Sequence, residues 1–107
     1  MPLYLFQGSY TSAAWAALIR KPQNRFRAVK AAVEKMGGSV EGGWLSFGEY
    51  DYAFVCRLPN NVGAAAFSLA IGAAGAVHGA KTTPLLSFEE GVKAMRQAGK
   101  SSYRPPK

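Results

Sequence analysis

Residues 39–58 read SVEGGWLSFGEYDYAFVCRL. The second half of this stretch alternates: Tyr50, Tyr52, Phe54 and Cys56 fall on one side of an extended chain, and Asp51, Ala53, Val55 and Arg57 on the other. Successive strand side chains point to opposite faces, so this pattern predicts a strand. Two strands are expected, over 39–47 and 50–58, with Gly48-Glu49 as the hairpin turn and Pro59 as the stop. A lone hairpin is marginal in water. The flanking chain must therefore supply further strands and a helical cover.

Upstream, residues 3–10 (Leu3 to Tyr10) read as an aromatic-rich strand. Thr11 or Ser12 can cap a short helix carrying Trp15, Leu18 and Ile19. Pro22 suits the first turn of the next helix, whose apolar stripe is Phe26, Val29, Val33 and Met36 and whose stop is Gly37-Gly38. Downstream, Asn60 or Asn61 can cap a helix running to about Gly75. Its surface is small (Gly63, Ala64, Ala65, Ala66, Ala70), with bulk at Phe67, Leu69 and Ile71. A fourth strand is expected over 76–86, where Pro84 fits an edge or a bulge. Ser87 and Glu90 form a capping box that opens a last helix through Val92 and Met95 to Gly99. The order βαββαβα is the split βαβ, ferredoxin-like arrangement, an α+β fold with an additional C-terminal helix. Residues 1–99 form the domain, and residues 100–107 a flexible basic tail.

Alternation gives the sheet two apolar faces. Tyr4, Phe6, Gly8 and Tyr10 join Tyr52 and Phe54 on an aromatic face, while Leu3, Leu5, Ala53 and Val55 make an aliphatic one. Two helices cover only one face. The expectation is that they take the aliphatic face and leave the aromatic one for another cover. A second subunit could supply it. Unstacked RNA bases could also do so, as in the RNA-recognition module, where aromatic rings on a four-stranded sheet stack bases. Tyr52-Ala53-Phe54-Val55-Cys56 matches the middle of that module's signature, but Tyr50, Asp51 and Arg57 depart from its flanks.

Composition narrows the classes. The chain has 107 residues, one domain's worth, with 49% apolar and 18% charged residues, which fits a folded chain. Thirteen Lys and Arg against six Asp and Glu give +7, a balance that favours anionic partners. No run of about five like charges occurs, so the basic residues read as a solvated helix face and nucleic acid is not the expected partner. No apolar run reaches the ~18 residues of a membrane span. The N-terminus lacks the pattern of a signal peptide, and a cytoplasmic protein is expected. One cysteine, Cys56, and one histidine, His78, exclude an intrachain disulfide and paired metal ligands, so no metal or cofactor is expected.

The stretch Phe47-Gly48-Glu49-Tyr50-Asp51-Tyr52-Ala53 resembles the signature of the GYD-domain family: a glycine, one acidic or polar residue, then Tyr-Asp. The resemblance runs from residue 2 to about 96. It takes in Met36-Gly37-Gly38, the Pro59-Asn60 exit, Gly72-Ala73-Ala74-Gly75-Ala76-Val77 and Lys81-Thr82-Thr83-Pro84-Leu85. That family resembles the dimeric α/β barrel superfamily, in which two ferredoxin-like sheets pack face to face. The resemblance therefore implies a homodimer or higher oligomer. Superfamily relatives include cofactor-free monooxygenases, lactone isomerases, haem-degrading enzymes, haem peroxidases and stress-response proteins, so the fold alone assigns no activity.

Candidate chemistry is sparse. Tyr50 and Asp51 are the motif residues. Asp51 either orients a ligand or proton, or anchors the turn by accepting backbone N–H bonds. The phenols of Tyr50 and Tyr52 either donate to a bound carbonyl or pack in an interface. His78 is a general base, a single axial haem ligand or a strand-end histidine. Trp15 and Trp44, with Tyr4, Phe6, Tyr52 and Phe54, could hold a small, flat, partly aromatic molecule. No Ser/His/Asp set is present, because Asp51 is the only aspartate. The expected function is small-molecule binding by a homo-oligomer, with cofactor-free oxygenation or isomerisation as its chemistry. The alternatives are a non-catalytic structural or interaction protein, and single-stranded RNA binding through the aromatic face.

Overall fold

The computed structural model describes residues 1–107. Its elements are β1 (Leu3–Tyr10), α1 (Ser12–Arg20), α2 (Phe26–Lys35), β2 (Ser39–Leu45), β3 (Tyr52–Arg57), α3 (Asn61–Ala73), β4 (Val77–Leu85) and α4 (Phe88–Ala98). The caps follow the sequence. Thr11 Oγ1 accepts from the Ala14 N–H at 3.1 Å, and Asn60 Oδ1 from the Gly63 N–H at 2.9 Å. Ser87 and Glu90 close the expected capping box at the start of α4. Gly37, at φ 82°, ends α2 in a conformation that suits glycine.

Two boundaries differ from expectation. Pro22 lies in the α1–α2 connection, because α2 begins only at Phe26, whose N–H is capped by Asn24 Oδ1 at 2.9 Å. The hairpin turn spans residues 46–51 and not Gly48-Glu49 alone. There the Ser46 hydroxyl donates to the Tyr50 carbonyl at 2.7 Å, and the Asp51 N–H turns to the Gly8 carbonyl at 2.8 Å. Tyr50 and Asp51 thus precede β3.

The four strands form one antiparallel sheet in the order β2-β3-β1-β4, the ferredoxin-like order. Pro84 sits on β4, an edge strand, where its missing N–H costs no ladder bond. Register pairs Tyr4 with Cys56, Phe6 with Phe54 and Gly8 with Tyr52. A Cβ on Gly8 would collide with the Tyr52 hydroxyl, so glycine lets the Tyr52 ring lie across β1.

The core corrects the expected faces. Tyr4, Phe6, Tyr52, Phe54 and Cys56 are buried together with Val33 of α2, Ala64 and Phe67 of α3, and Leu58. The aromatic face is therefore the one beneath the helices. The reason is volume. α3 presents small residues, with Ala64 buried and Gly63 and Ala66 half-buried, so much of the bulk between the layers comes from the rings of the sheet. Phe6 meets Phe67 edge-on with ring centroids 5.2 Å apart. Gly43 leaves the space that the Phe54 ring occupies.

The aliphatic face is left bare. Leu3, Leu5, Gln7 and Ser9 of β1 share it with Ala53 and Val55 of β3, with Thr83 and Leu85 of β4, and with Trp44 of β2. None of these side chains is fully buried. α4 likewise has no buried residue and exposes Phe88 and Met95. No helix is long and apolar enough to cross a membrane. With four aromatic rings of the sheet inside the core, no stacking platform for bases is presented on that face.

Candidate functional site

α1 is fastened over the end of the sheet by one carboxylate. Asp51 Oδ2 accepts from the Tyr10 backbone N–H at 2.9 Å and from Trp15 Nε1–H at 3.1 Å. The Thr11 N–H reaches across to the Ala76 carbonyl at 3.0 Å. The two bonds to the carboxylate are charge-assisted and so stronger than neutral ones. They hold Trp15 edge-on against Tyr10, ring centroids 5.1 Å apart.

Held there, α1 does not close down on the sheet. A cavity opens between α1, the α1–α2 connection, α3 and the aromatic face, in two adjoining lobes of about 570 and 320 Å³. Both lobes are lined by Tyr10, Leu18, Gln23, Arg25, Tyr52 and Phe54. The larger reaches Trp15, Phe26 and Trp44; the smaller reaches Phe6, Phe67, Ile71 and Val77. A mainly apolar wall with a few convergent polar groups is the usual make-up of a small-molecule site.

The polar groups are all donors or amides. The Tyr10 and Tyr52 hydroxyls have no hydrogen-bond partner within the chain, although Tyr52 is only 5% exposed. No buried side-chain oxygen or nitrogen is left unpaired, so these oxygens reach open space. Burial, with the neighbouring Tyr10 adding to it, pushes the Tyr52 phenol up to about 12. Burial also raises Tyr10, aided by Asp51 and opposed by the Arg25 guanidinium. Both phenols therefore stay protonated at neutral pH and act as donors. Arg25 lies at the rim and bonds only to Gln23 Oε1, at 3.1 Å. No histidine, aspartate or glutamate lines either lobe.

The candidate residues divide accordingly. Trp15, Phe6, Tyr52 and Phe54 line the cavity, whereas Trp44 borders its larger lobe from β2 with its exposed ring over Gly42 on the bare face. Tyr4 lies away from it, its hydroxyl donating to Asn61 Oδ1 at 2.7 Å. Tyr50 stays in the hairpin turn. Asp51 sits behind the wall and holds Trp15 in place. His78 is exposed on β4, opposite Ser9 on the bare face, beside the irregularity where Gly79 takes φ 62°. His78 pairs with Ser9, whose hydroxyl donates to the Glu49 carbonyl next to Tyr50 and Asp51, but none of Tyr50, Asp51 and His78 lines either lobe. No cluster of three His, Cys, Asp or Glu side chains is formed. Sequence reasoning missed Tyr10, Leu18, Gln23, Arg25, Ile71 and Val77 as lining residues. Only Tyr10 carried a usable signal, its place on the aromatic face.

Among known proteins, the model of one family, the GYD domain, matches residues 4–95. No curated protein and no solved structure matches the chain.

Proposed function

This chain belongs to the GYD domain family, and on that premise we propose that it is a cytoplasmic homo-oligomer that binds a small, partly aromatic molecule in the cavity between its sheet and its helices. The observation that carries the reading is the pair of partnerless phenols, Tyr10 and Tyr52, on the floor of an apolar cavity. Neither hydroxyl is spent on a bond within the chain and both reach open space, so a ligand in the cavity can accept from them in place of water. The bare aliphatic face supports assembly with a second copy. Exposed apolar surface of that kind marks an interaction site.

Isomerisation and cofactor-free oxygenation both pass through an enolate- or phenolate-like anion. Two protonated phenols and a guanidinium are the donors that stabilise such an anion. A non-catalytic binding role is the second reading. It is favoured by the lack of any carboxylate or imidazole on the cavity wall to take a proton.

The test is a thermal-shift and calorimetric screen with one- and two-ring aromatic compounds. Saturable binding by some of them, with a rise in melting temperature, is the expected result. A cavity that none of them stabilises sinks the reading. Conversion of a bound compound in air separates the catalytic role from the binding one.

A further inference from the structure

We infer that the cavity selects flat ligands bearing one negatively charged oxygen group, an aromatic carboxylate or a phenolate, and that Arg25 is the residue that selects them. The inference rests on reading the cavity as a small-molecule site, and adds the charge of what fills it.

The polar lining is unbalanced. Tyr10, Tyr52 and Arg25 can offer O–H and N–H bonds, while no carboxylate lines either lobe to receive a donor or to neutralise a cation. The chain's one ion pair joins Arg57 to Glu41, at 2.8 Å, and neither residue lines the cavity. Arg25 has only the neutral Gln23 amide oxygen as partner, so its charge is uncompensated at the cavity mouth. Guanidinium pairs with a carboxylate through two parallel bonds, and such bonds are about twice as strong as neutral ones. Behind Arg25, the walls at Leu18, Phe54 and Phe67 accept a flat ring. A single guanidinium matches a single charge. The net charge of +7 draws anions towards the surface in the first place.

The test uses 2-naphthoate and 2-naphthamide, which share size and shape and differ in charge. Calorimetry at moderate salt is expected to show naphthoate binding about tenfold tighter, a preference that weakens as salt rises. Arg25→Gln is expected to bring the two affinities together by weakening naphthoate alone, and Arg25→Lys to keep part of the preference. Arg25 is exposed, so the variant should fold, and an unchanged melting temperature confirms that it does. Arg27→Gln, two residues further on in α2 and outside the lining, is expected to change neither affinity. Equal binding of both compounds, unaltered in Arg25→Gln, overturns the charge selection and leaves the cavity reading standing. Failure of both compounds to bind overturns the two together.

Discussion

Tyr4 and Tyr52 stand on the same face of the sheet, yet their hydroxyls differ in circumstance. Tyr4 donates to Asn61 Oδ1 at 2.7 Å; Tyr52 meets no partner in the chain and lines both lobes of the cavity. Tyr4→Phe should therefore cost about 1 kcal/mol in urea denaturation and leave ligand affinity alone. Tyr52→Phe should change stability by less than about 0.5 kcal/mol and weaken ligand binding. The reverse pattern would mean that the hydroxyls have been assigned the wrong roles. The same burial sets an alkaline limit. Burial raises Cys56 to about 11, with Glu41 adding to it, and Tyr52 to about 12. In each case the unfolded chain loses its proton first, so stability is full below the ordinary pKa and falls as pH rises through the folded one. Denaturation midpoints are expected to hold to about pH 9 and then decline to about pH 12, by a few kcal/mol in all. Cys56→Ala should delay the onset of the decline.

At the scale of elements, the sequence made most of the architecture legible. The alternation in residues 50–58, the Asn60 cap and the Ser87/Glu90 box each mark an element that the structure contains. Alternation states which residues share a face; it does not state which face is covered. That depends on what lies opposite: Phe67 of α3 packs edge-on against Phe6, and Phe26 of α2 stacks on Phe54. A small helix face over a small sheet face would have left voids. The cavity was less legible because its lining is assembled from α1, the 21–25 connection, α2, α3 and all four strands. No periodicity within one element reports how far α1 stands from the sheet. That distance is set by Asp51, whose bonds to Tyr10 and Trp15 span about forty residues of sequence. The packing also gives Gly8 a fixed role. Gly8→Ala should displace the Tyr52 ring, costing about 1–3 kcal/mol by overpacking and reshaping the cavity floor. A Gly8→Ala protein with wild-type stability and wild-type near-UV circular dichroism would contradict this packing.

The whole molecule is longer than its chain requires. Its radius of gyration is 17.1 Å and its extents are 58 × 35 × 22 Å, where a compact domain of this size measures about 13 Å. α4 contributes no buried residue, although an isolated helix shorter than about 12 residues is marginal in water. Together with the bare face around Leu5 and Val55, this shape motivates the proposal that a second copy packs against the chain. Light scattering at low micromolar concentration is expected to give a mass that is a multiple of 11.4 kDa. Val55→Lys, placed on the bare face, should reduce it to one chain without unfolding the sheet. A wild-type monomer would remove the oligomer from the proposal. The central claim concerns the opposite face, and methyl-resolved NMR tests it most directly. On titration with 2-naphthoate, the methyls of Leu18, Val29, Ile71 and Val77 should shift together and saturate with one affinity, because all four line the cavity. Still methyls at those positions, or shifts confined to Leu3, Leu5 and Val55 on the bare face, would contradict it.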